Sequence, residues 1–378
     1  MAKIIFIGSA HPFRGGLATF NERLSQELIK AGHTVELWTF TIQYPSFLFP
    51  GKSQFTDAPP PLGLFISRKI NSLNPINWFL VGNEIKKMKP DLLLFKFWLP
   101  FMGPCFGTIS RRAKANGFTK VISILDNVIP HEKRIGDISF TKYFLKSCDG
   151  FVTMSGSVSD DLKKFVPQKP FIQNPHPLYD NFGEAVSKEI ALEHLGLEMG
   201  YSYILFFGFI RKYKGLDLLI EALSDERINN LPVKLIVAGE FYEDSKPYTD
   251  LIAKYNLADR VIIKAEFIRE EEVKYFFSAA DVVVQPYKSA TQSGVTQIAY
   301  QFDTPMIVTN VGGLPELVPN NKTGFCVNPS SFEIANAIFI FFNDHLAEKF
   351  AKAVKEEKVK FSWNVFAKEI LRLFRELS

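Results

Sequence analysis

The sequence predicts an α/β protein of two Rossmann-like, doubly wound domains facing a cleft, and three observations lead there. Apolar runs of strand length alternate with stretches of helical period along almost the whole chain. The alternation breaks once, at residues 167–200, where four prolines lead into a mixed polar stretch, and then begins again. At 378 residues the chain is too long for one ordinary domain and long enough for two sizeable cores. The expected layout is one Rossmann-like domain over residues 1–180, a second over 200–360, and a terminal helix over 361–378 that packs back on the first.

Composition narrows the classes. The chain is 47% apolar and 22% charged, a globular balance, and no run of about 18 uncharged apolar residues is present to cross a bilayer. Its first apolar run covers only residues 4–7 and is soon followed by His11, Pro12 and Arg14, which reads as a strand and not a secretory signal. Cys105, Cys148 and Cys326 are odd in number, far apart and set among apolar residues, a pattern that fits reduced thiols in the cytoplasm. The six histidines lack ligand spacing, and no metal is expected. Charge is unevenly placed: residues 1–180 hold 22 Lys and Arg against 13 Asp and Glu, the rest 22 against 27. A basic first half suits peripheral contact with an anionic membrane or a phosphorylated acceptor. Scattered cations without an aromatic-basic motif argue against nucleic acid.

Residues 3–9 form the first expected strand. Gly15 and Gly16 open a helix whose Leu17, Phe20, Leu24 and Leu28 share one face, Gly32 ends it, and residues 34–40 form a second strand. Residues 45–61 carry five prolines and read as loop. A helix over 75–89 leads to a strand over 91–95, then the aromatic segment KFWLPFMGP and a basic helix around 110–116. Core packing is the first reading of that segment; dipping into a lipid interface is the second. A strand over 119–125 runs directly into Asp126 and Asn127, with His131 five positions after Asp126. Such a polar cluster at a strand's carboxyl end is where open α/β sheets build their sites. The next strand spans 149–155. Beyond the boundary, strands are expected over 203–207, 233–238, 260–264, 281–285, 306–310 and 324–327.

The most informative stretch is YILFFGFIRKYKGLDLLIEAL, residues 203–223. A fully apolar run ends at Gly208, and Leu216, Leu219, Ile220 and Leu223 then follow the helical period from Gly215. The joint holds Arg211, Lys212 and Lys214. Fixed cations beside the free amides of a helix start make a diphosphate site; the plain alternative is an ordinary α/β joint with solvated lysines.

This stretch resembles the glycine, basic, Lys-Gly, helix segment of family-4-type (GT4) retaining glycosyltransferases with the two-domain B fold (GT-B), the glycosyl transferases group 1. PMIVTNVGGLPELVPNNKTGFCVNP is similar to that family's strand, Gly-Gly-x-x-Glu loop and Thr-Gly turn. Gly15-Gly16 with Ala31-Gly32-His33-Thr34-Val35 matches its glycine loop, helix and Gly-His-x-Val strand. The resemblance implies a nucleotide-diphospho-sugar bound by the C-terminal domain and an acceptor bound by the N-terminal one. It implies that Arg211 and Lys214 neutralise the leaving diphosphate in place of a metal, so that no cofactor is needed. Gly15, Gly16 and the amides around Gly294, Val295 and Thr296 would approach the same diphosphate.

Two departures stand out. The family's pair of glutamates, eight positions apart, falls at Ala290 and Ile298, leaving Gln292 and Gln297 as substitutes near the sugar or ribose, with Glu316 of the Gly-Gly loop. The family's arginine directly after the glycine is Phe209 here, and Arg211 comes two positions later. Where the family commonly places a catalytic histidine, this chain has Asp126-Asn127. Asp126 is therefore the candidate for orienting the acceptor hydroxyl or stabilising an oxocarbenium-like centre, and Asn127 and His131 are placed on the acceptor side.

The expected activity is transfer of a sugar, of the hexosyltransferase type, to a glycan or lipid-linked acceptor in cell-surface polysaccharide synthesis. The setting expected is the cytoplasm or the inner face of the membrane. A nucleotide-sugar 2-epimerase of the same architecture and a non-catalytic nucleotide-sugar-binding protein are the competing readings. A nicotinamide dehydrogenase fits poorly, because no strand leads into a complete Gly-x-Gly-x-x-Gly followed by an acidic residue.

Overall fold

The computed structural model describes residues 1–44, 54–56, 59–129, 134–290 and 293–377. The chain divides into two units: Met1–Pro175 with Trp363–Ser378, and His176–Ser362. Each is built on one parallel sheet, so the architecture is α/β with two doubly wound, Rossmann-like halves.

The first unit contains β1 (Lys3–Ile7), β2 (Thr34–Ile42), β3 (Phe65–Asn71), β4 (Leu92–Phe97), β5 (Lys120–Leu125), β6 (Gly150–Thr153) and β7 (Phe171–Gln173), in the order β3-β2-β1-β4-β5-β6-β7. Side chains alternate across a strand, and both faces are covered. Ile5, Ile7, Phe95 and Val121 pack under the helices Pro75–Met88, Gly103–Lys114 and Asp137–Leu145. Ile4, Phe6, Leu94 and Ile122 pack under the helix Gly16–Lys30 and the last helix, Trp363–Leu377, which contributes Trp363, Phe366, Ile370 and Leu373.

The second unit contains β8 (Ser202–Phe207), β9 (Val233–Ala238), β10 (Val261–Lys264), β11 (Val282–Gln285), β12 (Met306–Thr309) and β13 (Gly324–Val327), in the order β10-β9-β8-β11-β12-β13. The two sheets repeat one topology: the order runs outward from the first strand and reverses beside it, at β1/β4 and at β8/β11. Ligands of open parallel sheets sit at that reversal, outside the carboxyl ends of the strands.

Two strands escape the sequence pattern. β3 is an edge strand with only Ile70 buried, and Arg68 bonds back to the carbonyls of Phe40 and Thr41, so no apolar run marks it. β7 is three residues long and lies among prolines. The basic helix begins at Gly103, seven residues before its expected start. The aromatic segment ahead of it is core: Phe97 and Met102 are fully buried, with Trp98 and Phe101 packed against the same cluster. All three cysteines are unpaired. No helix among the described residues is long and apolar enough to cross a membrane.

Candidate active site

The second unit's reversal point is built by two loops. After β8 the chain turns at Gly208 (φ 91°). Ile210 then donates its N–H to the Glu240 carbonyl at 2.9 Å, and Tyr242 donates to the Ile210 carbonyl at 3.1 Å. This pins the basic loop to the segment following β9. A short 3-10 turn, Lys212–Lys214, ends at Gly215 (φ 69°), where a Cβ would collide with the Pro286 carbonyl. Only glycine lets the helix Leu216–Leu223 start so close to the loop after β11. Lys288 N–H closes the contact on the Tyr213 carbonyl at 2.7 Å.

Lys214 is the central side chain. It is 9% exposed, its ammonium lies 5.6 Å from the centroid of the Tyr287 ring, and it has no carboxylate partner among the described residues. Burial, and secondarily the neighbouring Arg211, lower its pKa to about 8. Arg211 places its guanidinium 4.7 Å from the Tyr242 ring, and Tyr242 stacks edge-on against Phe209 at 4.5 Å. Two neighbouring cations without a counter-ion among the described residues, one of them desolvated, suit an anion.

The helix Gly294–Gln301 starts beside them. A Cβ on Gly208 would lie 3.1 Å from the Lys214 ammonium and 3.7 Å from Val295, so the two segments expected from the sequence to bind an anion converge there. The Thr296 hydroxyl is buried and exchanges hydrogen bonds of 3.1 and 3.2 Å with the Gln285 amide, leaving its backbone N–H as the group at the helix start. Gly294 approaches the Tyr179 ring, which stacks on His176 at 4.9 Å. Tyr287 bonds Ser293 through its hydroxyl at 3.2 Å, and burial pushes its phenol up. Gln297 is fully enclosed, and neither polar atom of its amide has a hydrogen-bond partner among the described residues. Glu316 is exposed in the short helix Leu314–Leu317 after β12, one strand further along the same edge. Gln292 and His131 lie outside the described residues.

In the first unit, Gly15 (φ 99°) and Gly16 are exposed at the start of the helix that follows β1. Asp126 follows β5, donates its N–H to the Phe97 carbonyl, and forms an ion pair of 2.7 Å with Lys96 of β4. Asn127 is half-buried beside it. Lys96 is fully buried, with its ammonium 3.5 Å from the centroid of the Phe20 ring. Burial lowers its pKa, and Asp126 opposes that shift. Sequence reasoning did not single out Lys96 as a partner of Asp126, although a lone cation inside the apolar run LLLFKF was a visible signal. Tyr242 and Tyr287, which flank the two cations, carried no sequence signal at all.

Residues 187–360, nearly all of the second unit, match the family described as Glycosyl transferases group 1. An uncharacterised glycosyltransferase of Methanocaldococcus jannaschii is 24% identical over 99% of this chain and 98% of its own length. A D-inositol 3-phosphate glycosyltransferase of Corynebacterium urealyticum is 25% identical over 57% of this chain, a match that spans about half (49%) of that enzyme. Among solved structures, Anabaena HepE in complex with UDP covers all of both chains with a TM-score of 0.72 at 14% identity, a likeness of fold. The second unit thus matches the group 1 glycosyltransferase family, and the whole chain is similar to a glycosyltransferase of Methanocaldococcus jannaschii.

Proposed function

We propose that the protein is a retaining, metal-independent hexosyltransferase that takes its sugar from a nucleotide diphosphate. The observation that carries the donor assignment is the buried Lys214 beside Arg211, near the start of the helix Gly294–Gln301 at the point where the strand order reverses; retention rests on the family resemblance. Breaking the glycosidic bond loads negative charge on the β-phosphate. Preorganised cations in a desolvated site stabilise that charge more in the transition state than in the ground state. Arg211 and Lys214 supply the positive charge there, and the amides of Gly294, Val295 and Thr296 add the dipole of a helix start. That HepE is described in complex with UDP supports a nucleotide donor for this fold.

The first unit is assigned the acceptor, a glycan or lipid-linked sugar of surface polysaccharide synthesis. Asp126 and Asn127 present polar groups at the carboxyl end of β5, with Asp126 orienting the acceptor hydroxyl. In a front-face displacement the departing phosphate takes the acceptor proton, so no protein nucleophile is required. Three unpaired cysteines support a cytoplasmic setting.

Thermal unfolding with UDP, GDP, ADP and NAD, on wild type and Lys214→Ala, tests the reading. A ligand at about 100 times its Kd adds roughly 2.7 kcal/mol of stability. One nucleoside diphosphate is expected to raise Tm in the wild type only, and its sugar conjugate then serves as donor in a transfer assay with the product anomer read by NMR. Stabilisation by NAD alone, or by no diphosphate, overturns the donor assignment. An inverted anomer overturns retention.

A further inference from the structure

The first unit carries an outer face that the transferase reading leaves unused. The helices Pro75–Met88, Gly103–Lys114 and Asp137–Leu145 lie side by side over one side of its sheet. In the first of them Val81 and Ile85 face the core, while Ile76 (71% exposed), Phe79 (48%) and Leu80 (63%) point away from it. At i, i+3 and i+4 they form one apolar stripe on the solvent side, and Leu73 extends it at the helix start. Two turns later that same surface becomes basic, with Lys86, Lys87 and Lys89 exposed and without acidic partners among the described residues.

The stripe continues across the helix layer. Arg112 sits 5.5 Å from the Phe79 ring and bonds Asn83; Arg111 stacks at 3.9 Å on Tyr143 of the third helix. There Ile138 is exposed, with Lys142 and Lys146 beside it. Acidic residues on the three helices are confined to Glu84 and Asp137. Glu84 is paired with Lys69 at 2.5 Å, and Asp137 accepts from the Arg134 N–H at 2.8 Å.

We infer that this face docks the protein on an anionic lipid surface. Exposed aliphatic side chains flanked by lysines and arginines match an acyl boundary beneath a layer of negative headgroups. The arginine and lysine stems can lie along the apolar stripe while their charges reach the headgroups. A second copy is a poor occupant, because an isologous contact would set the same uncompensated cations against each other. The inference extends the transferase reading by naming a membrane partner, yet vesicle binding is measured without donor or acceptor and can fail independently of it.

The test is co-sedimentation of the full chain with phosphatidylcholine vesicles containing about 30% phosphatidylglycerol, and with phosphatidylcholine alone, at about 0.1 M salt. Binding to the anionic vesicles only, weakened by added salt, is expected. The double variant Lys86→Gln/Lys87→Gln should lower partitioning roughly twenty-fivefold, about fivefold per charge. The double variant Ile76→Ser/Leu80→Ser should lower it at least about tenfold. Both variants should keep wild-type Tm and the wild-type thermal response to nucleoside diphosphate. Absence of vesicle binding overturns the inference. So does loss of binding in the lysine variant with none in the Ile76/Leu80 variant, which marks a polyanion site. A concentration-dependent dimer that Ile76→Ser/Leu80→Ser dissociates also overturns it.

Discussion

Each unit buries a lysine beside the place where its strand order reverses, and the two differ in whether a carboxylate partners them. Lys96 of the first unit has its counter-ion, Asp126, at 2.7 Å and an aromatic ring against its ammonium. Lys214 of the second has Arg211 as a repelling neighbour and no carboxylate partner among the described residues. The same topology thus holds a completed ion pair in one half and an incomplete one in the other. Burying an unpaired cation is costly, and a fold keeps one where a ligand supplies the missing charge.

That contrast can be broken most forcefully at Asp126. Asp126→Ala leaves Lys96 buried without its counter-ion and should cost about 2–3 kcal/mol in urea unfolding, below the 3–5 typical of fully enclosed pairs because solvent reaches Asp126. The double variant Lys96→Met/Asp126→Asn should recover most of the loss. Equal stability of Asp126→Ala and wild type would remove the distinction between the two lysines. Lys214→Met should show the opposite pattern: Tm unchanged or raised, and nucleoside diphosphate affinity lower by about 10- to 100-fold in calorimetry.

Proton linkage sharpens the comparison further. The folded pKa of Lys214, about 8, lies below the ordinary lysine value of 10.5. Its charged form therefore opposes folding below pH 8, and that opposition fades as pH rises from 8 toward 10.5. Anion binding needs the proton. Affinity for the diphosphate should fall roughly tenfold between about pH 7 and 9 in the wild type and stay level in Lys214→Met. A level wild-type profile would mean that Lys214 does not contact the anion. The smallest effect is expected for Arg211→Lys, which keeps the charge and loses the planar contact with Tyr242. A decrease of about two- to fivefold in diphosphate affinity is anticipated, checked by the same titration.

The second unit's site was the more legible in sequence because its parts are contiguous: Gly208, Arg211, Lys214 and the helix stripe fall within one strand-to-helix joint. Its two glycines announce their turns, since Gly208 and Gly215 both take positive φ. The pairing of Lys96 with Asp126 spans 30 positions and depends on β4 lying beside β5, which no local pattern encodes. Phe209 and Tyr242 are similarly joined only by the bridge between the loop after β8 and the segment after β9. Strand β3 was hidden because an edge strand can do without an apolar run, and β7 because its three residues sit among prolines. Gln297 reads as a polar residue near a ligand, yet helix packing encloses it completely.

The last helix belongs to the first unit, and this has a consequence for how the chain is made. The second unit is continuous in sequence, whereas the first is interrupted by it and finished only by Trp363–Leu377. On the ribosome, the side of the first sheet that Phe366, Ile370 and Leu373 will cover stays open while the whole of the second unit emerges. At typical elongation rates of about 5–20 residues per second, that interval is on the order of 10 to 40 seconds. Nascent chains stalled before residue 363 should therefore carry a protease-resistant second unit and a protease-sensitive first one.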